Sequence, residues 1–173
     1  FQTNPLATEL LYGKIRDWVA RCAPEHLYDL YGGMGGIAFS CADLVRQVWS
    51  VESVAEASAD GRQNALDNGV ENVTFITAIV KNYLKELLRG EGLAANSAVV
   101  LDPPRSGLHP KALRRIAELG PRHLLYVACN PKNLAHEMPA LLERFTLRSL
   151  HAVDLFPHTR HVEVIAEFER KDN

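Results

Sequence analysis

From about residue 27 to its end the chain alternates short apolar runs with longer amphipathic stretches, a pattern that predicts strands and helices in turn. Ahead of it, Leu6, Leu10, Leu11, Ile15, Trp18 and Val19 recur at helical spacing and predict a helix over 5–20. Strands are predicted at 27–31, 47–52, 73–77 and 98–102, separated by helices over 36–45, 54–68 and 79–89. Beyond them come a helix over 110–119, a strand at 123–128, a helix over 131–143 and two strands near 147–155 and 161–169. The last two flank Phe156-Pro157-His158-Thr159, a connection short enough for antiparallel neighbours. The predicted fold is therefore α/β: a doubly wound, mostly parallel seven-stranded sheet with an antiparallel end. Such sheets bind ligands beyond the carboxyl ends of their strands, and every unusual residue cluster in this chain falls at one of those ends.

Composition narrows the picture. A chain of 173 residues with 47% hydrophobic content suits one compact domain over residues 1–173. With 19 basic against 21 acidic side chains, this region on its own is expected to hold a polyanion weakly. Basic residues do gather at Arg105, Lys111, Arg114 and Arg115, with Lys132 further on, although a solvated helix face explains such runs equally well. Cys22, Cys41 and Cys129 have no CxxC spacing, so neither a disulfide framework nor a metal site is indicated, and a cytoplasmic setting is expected. No apolar run approaches the length of a membrane span, and no signal-peptide pattern opens the chain. The chain starts at Phe1 without a Met and is expected to be part of a longer protein.

Three features carry chemistry. The segment Tyr31-Gly32-Gly33-Met34-Gly35-Gly36-Ile37 leaves a strand and enters a helix with four glycines in five positions, which lets backbone amides approach a ligand. Glu52 ends the next strand, where an acid can accept hydrogen bonds from the ribose hydroxyls of an adenosine. Gly33, Gly35 and Ala38 also satisfy the G-x-G-x-x-A dinucleotide pattern, so a nicotinamide-dependent oxidoreductase remains open. Asp102 ends the fourth strand and is held by Pro103-Pro104-Arg105, a stiff turn that continues neither a ladder nor a helix. Asp/Asn-Pro-Pro turns occur in methyltransferases that act on planar centres of nucleic-acid bases.

Cys129 ends the strand Leu124-Leu125-Tyr126-Val127-Ala128, and Asn130-Pro131 follows as an N-cap and first-turn pair. A thiol at a helix N-terminus is expected to ionise more readily and to act as a nucleophile. Neither Cys22 nor Cys41 has this setting. Glu163, near the start of the last strand, is a candidate general base, and His158 and His161 stand close to it in sequence.

Together, Asp102-Pro103-Pro104-Arg105, Cys129-Asn130-Pro131, His161-Val162-Glu163 and the glycine turn resemble the RNA (uracil-C5)-methyltransferase family, whose bacterial members modify 23S ribosomal RNA or transfer RNA. The resemblance covers essentially the whole chain, and Phe1-Gln2-Thr3-Asn4 is similar to the family's Phe-x-Gln-x-Asn segment at the start of its catalytic domain. It implies a Rossmann-like class I methyltransferase fold, S-adenosyl-L-methionine as cofactor, no metal in this region, and RNA as partner, with 23S rRNA favoured over tRNA from the Met34 and Ile37 variation in the turn. It implies further an N-terminal RNA-binding region, absent here, which in some members carries an iron–sulfur cluster. By the same resemblance Cys129 is the nucleophile, Glu163 the base, and Gln2, Tyr31, Gly33, Gly35, Glu52 and Asp102 surround the cofactor.

The chemistry fits these residue types. Uracil C5 is a poor nucleophile until a thiolate adds at C6; the resulting enolate accepts the methyl group, and a base then removes the C5 proton so that the thiol is released. This chain departs from the family at Gly36, where many members have Asn, and at Ala78-Ile79, where they place polar or acidic residues, so adenine recognition is expected to differ. Those departures leave open a non-catalytic binding module, and an exocyclic-amine methyltransferase would need the Asp-Pro-Pro turn without the thiol.

Overall fold

The computed structural model describes residues 5–154 and 162–172. Its elements alternate as the sequence predicts: α1 (Pro5–Cys22), β1 (His26–Leu30), α2 (Gly36–Cys41), β2 (Gln47–Glu52), α3 (Ala55–Asp67), β3 (Val73–Thr77), α4 (Val80–Arg89), β4 (Ser97–Leu101), α5 (Pro110–Leu119), β5 (His123–Ala128), α6 (Pro131–Arg144), β6 (Phe145–Val153) and β7 (Glu163–Arg170). The strands form one sheet in the order β3-β2-β1-β4-β5-β7-β6. The first five run parallel, and β7 is inserted antiparallel to both β5 and β6.

Alternation along the strands sends successive side chains to opposite faces, and each face is covered. Leu27, Val48, Val100 and Val127 pack with Leu11, Ile15 and Trp18 of α1 and Ile37 of α2. Tyr28, Val51, Val99 and Leu124 pack with Leu84 of α4, Ile116 of α5 and Leu134 of α6. Every residue of β4 is buried, as expected of a central parallel strand. Among the described residues no helix is long and apolar enough to cross a membrane.

Most element boundaries differ from the sequence expectation by one or two residues, and two differences are notable. The helix after the glycine turn ends at Cys41, and Ala42–Leu44 tightens into a 3-10 turn. β6 begins at Phe145, directly after α6, because Phe145 is fully buried and pairs with Arg170 with no intervening loop. The chain leaves β1 and β4 in opposite lateral directions, since β1 neighbours β2 on one side and β4 on the other. That reversal opens the crevice in which a doubly wound sheet binds ligands.

Candidate active site

The glycine turn is built by backbone demands. Tyr31, the first residue past β1, takes a left-handed φ of 70°, as do Gly33 (56°) and Gly35 (91°). The amides of Tyr31 and Gly32 both donate to the Val51 carbonyl, at 2.9 and 3.1 Å, which bends the chain across the end of β2. A Cβ at Gly35 would meet the Phe75 ring in addition to the positive φ, so the position requires glycine. Gly32 lies directly over Ser50 and Asp29, where a Cβ would collide with both.

Glu52 locks this turn to β2. Its Oε2 accepts from the Gly33 amide at 3.1 Å, while Oε1 accepts from the Val54 amide at 2.7 Å and the Ser53 hydroxyl at 3.1 Å. Beside it lies a cavity of about 350 Å³ whose walls include Tyr31, Ser53, Ile79, Lys81, Pro104 and Leu108. Its volume falls in the range of small-molecule sites. Burial pushes the Tyr31 phenol up to about 12, so it stays a neutral hydroxyl.

Under the turn, Asp29 is fully buried. Ser50 Oγ donates to its Oδ2 at 3.3 Å, the Ala38 amide also favours its ionised form, and Oδ1 reaches no hydrogen-bond donor. Burial pushes Asp29 up to about 7. Asp102 follows the end of β4, with its amide donating to the Leu30 carbonyl at 3.2 Å. Desolvation, then the charges of Asp29 and Glu163, push it up to about 7 as well.

The thiol sits on the other side of Asp102. In the antiparallel ladder Ala128 pairs with Val164, so one further step along the register sets Cys129 opposite Glu163. Pro103, Pro104, Gly107, Asn130 and Asn133 surround the half-buried Cys129. Asn130 Oδ1 caps α6 by accepting from the Lys132 amide at 3.2 Å, with Pro131 in the first turn, as the sequence predicts.

The net shift of the thiol runs opposite to that expected from the helix end. Burial raises Cys129 above the ordinary cysteine range, the charges of Glu163 and Asp102 raise it further, and Arg105 offsets only part of this. Burial also raises Glu163, against the pull of Arg105. Cys22 and Cys41 are pushed up to about 11 by burial and stand in other parts of the fold.

Sequence reasoning missed Glu137. This α6 residue is buried, and its carboxylate accepts from the Tyr126 hydroxyl at 2.7 Å and from the Leu108 amide at 2.8 Å. Asn133 Nδ2 donates to the Arg105 carbonyl at 2.6 Å. The Leu108–Glu137 and Asn133–Arg105 bonds tie the turn after Asp102 to the helix that follows Cys129. The signal was present: Leu134, Glu137 and Leu141 share the buried stripe of α6, where a lone carboxylate needs donors. Tyr12 was also missed; its hydroxyl occupies the space that a Cβ at Gly36 would enter. Gln2, His158 and His161 lie outside the described residues. Among the described residues no group of three or more His, Cys, Asp or Glu is arranged to hold a metal ion.

Comparison with known proteins finds relatives along nearly the whole chain. An RNA methyltransferase of Caldanaerobacter subterraneus with no assigned substrate is 36% identical over 98% of the chain and 37% of its own length. The 23S rRNA (uracil(747)-C(5))-methyltransferase RlmC of Halothiobacillus neapolitanus is 38% identical over 98% of the chain and 44% of its own length. The tRNA (uracil-54, C5)-methyltransferase of Pyrococcus abyssi, solved with S-adenosyl-L-homocysteine, superposes with a TM-score of 0.83 at 30% identity over 97% of the chain and 39% of its own. The chain thus spans about two fifths of these relatives. The family model described as tRNA (Uracil-5-)-methyltransferase matches residues 9–171, and the chain belongs to that family.

Proposed function

We propose that this chain is the catalytic domain of a longer cytoplasmic protein that transfers a methyl group from S-adenosyl-L-methionine to C5 of a uridine in RNA through a covalent bond from Cys129. The observation that carries the reading is the placement of Cys129 one register step beyond the Ala128–Val164 pair, opposite Glu163, with Asp102 acting electrostatically on Cys129. The cavity beside Glu52 has a volume suited to an adenosine-bearing ligand. When bound, that cofactor supplies an electrophilic methyl group on a sulfonium.

In this reading Tyr31, Gly33, Gly35, Glu52 and Asp102 hold the cofactor. Cys129 loses its proton to solvent and adds as thiolate to uracil C6; C5 of the resulting enolate takes the methyl group, leaving the demethylated thioether; and Glu163, as carboxylate, removes the C5 proton as the C6–S bond breaks and the thiolate departs. The thiol's raised pKa means that free Cys129 is protonated at neutral pH, so ionisation accompanies attack. The base must leave any stack to reach Cys129, which favours unpaired targets. The relative acting on 23S rRNA is 38% identical and the tRNA-modifying one 30%, in keeping with 23S rRNA as the target. Most RNA recognition then lies in the remainder of the longer protein.

RNA carrying 5-fluorouridine tests the scheme on the full-length protein, because fluorine at C5 cannot leave as a proton does. An SDS-stable protein–RNA complex is expected, absent in Cys129→Ala. Cys129→Ser should lower methyl transfer by at least about 10³-fold. Normal methylation by Cys129→Ser would overturn the covalent scheme in favour of exocyclic-amine chemistry.

A further inference from the structure

The charge of this chain is unevenly distributed. α4 and α5 each carry three basic residues against one acidic, whereas α1 carries three against two, α3 one against three and α6 two against two. The whole chain is −2. Two neighbouring helices therefore hold four net positive charges while everything else holds six net negative ones. The helices are joined as a unit, since the Arg115 guanidinium donates to the Lys81 carbonyl. Arg89 pairs with Glu86 at 3.4 Å, but no carboxylate among the described residues lies within salt-bridge distance of Lys81, Lys85, Lys111 or Arg114. Unneutralised like charges at this density are unfavourable unless a polyanion covers them.

The cluster also has a direction. His109, the N-cap of α5, is held below the ordinary histidine range by desolvation and then by Lys81, Lys111 and Arg115, so these cations share one neighbourhood. Lys81 and His109 stand on the rim of the cavity, whose Pro104 and Gly107 also border the cleft around Cys129. The basic face thus begins where the thiol's cleft ends.

We infer that the α4–α5 face is a docking surface for the phosphodiester backbone of the RNA strand flanking the methylated uridine. The inference rests on the reading of the chain as an RNA methyltransferase, and gives this region its own share of RNA affinity despite its acidic total charge. Phosphate contacts of this kind set position and affinity without reading sequence.

The test uses full-length protein with Lys85, Lys111 and Arg114 all changed to Gln, and a second variant with Lys111→Glu and Arg114→Glu. A control variant carries Arg46→Gln and Arg148→Gln, exposed positions on other parts of the surface. RNA dissociation constants are measured over a series of salt concentrations, alongside S-adenosylhomocysteine binding and adduct formation with 5-fluorouridine RNA at low salt. The triple variant should bind RNA at least about 10-fold more weakly, with a salt slope smaller by roughly 2, and the reversal variant more weakly still. Cofactor binding and the low-salt adduct should persist in both, which keeps the result separate from any failure of the methyltransferase reading. Unchanged RNA affinity and slope in the variant that still binds S-adenosylhomocysteine would overturn the inference, as would an equal loss in the control.

Discussion

The two halves of the candidate site each contain a buried carboxyl group, and they are held in opposite ways. Under the glycine turn, Asp29 has one hydroxyl donor on Oδ2, an Oδ1 without a donor, and a titration pushed up to about 7 by burial. Behind the Pro-Pro-Arg turn, Glu137 accepts one bond on each oxygen, from Leu108 and from Tyr126. The first arrangement is incompletely satisfied and gains from a cation or a further donor; the second is complete and works as a fastening. The half proposed to hold the cofactor is thus shaped by close backbone approach around an unsatisfied acid, and the thiol half by side-chain hydrogen bonds between distant segments.

The largest expected consequence concerns pH. Asp29 keeps its proton up to about 7 in the folded chain, while an unfolded aspartate loses it near pH ~3.9. Between these values the folded state binds more protons, so stability is fully present below the unfolded pKa and is lost as pH rises to about 7. Asp102, also raised to about 7, contributes with the same sign. The loss should amount to a few kcal/mol, and Asp29→Asn should remove a large part of it. Thermal midpoints from about pH 4.5 to 7.5 provide the check; parallel curves for the two proteins would show that Asp29 is not the unsatisfied group described.

Glu137 offers the converse test. Glu137→Ala strips acceptors from the Tyr126 hydroxyl and the Leu108 amide and frees the turn that carries Asp102. A misplacement of about 1 Å there should cost roughly 10²-fold in kcat for methyl transfer. If the glycine turn and Glu52 hold the cofactor as proposed, S-adenosylhomocysteine affinity should change by less than about threefold, or roughly 0.6 kcal/mol. Equal losses in both quantities would mean that the two halves act as one unit.

This division also accounts for what the sequence revealed. Gly33 and Gly35 were legible because a positive φ demands a residue type, and Glu52 because a strand end sits at a fixed offset from the turn. The mostly parallel sheet with an antiparallel end followed from alternating patterns with one short return, whereas the insertion of β7 between β5 and β6 did not. Glu137 was hidden because its donors, Leu108 and Tyr126, are 29 and 11 residues away and are brought together only by packing. The direction of the Cys129 shift was misjudged for the same reason. A helix end is local and visible, whereas the burial that raises the thiol, and the charges of Glu163 and Asp102 that add to it, come from segments brought together only by the fold. The basic residues of α5 were visible as a run, but their joining to α4 through Arg115 and Lys81 was not.

The smallest effect concerns Gly36, where the family resemblance leads to an expectation of Asn. If the cofactor half depends on close approach, restoring Asn at this position should be unfavourable here, because its Cβ enters the space of the Tyr12 hydroxyl. The obstacle is the far end of a side chain on α1 that can move, so Gly36→Asn should cost only about 1–2 kcal/mol in urea denaturation. Tyr12→Phe removes the colliding oxygen and should recover at least half of that loss when combined with Gly36→Asn, a coupling that a double-mutant cycle reads directly. Purely additive effects would mean that Tyr12 does not fill the place of the missing side chain. Coupling would show that the glycine at this position and the tyrosine on α1 are a matched pair, so that the turn keeps its shape here by packing against Tyr12.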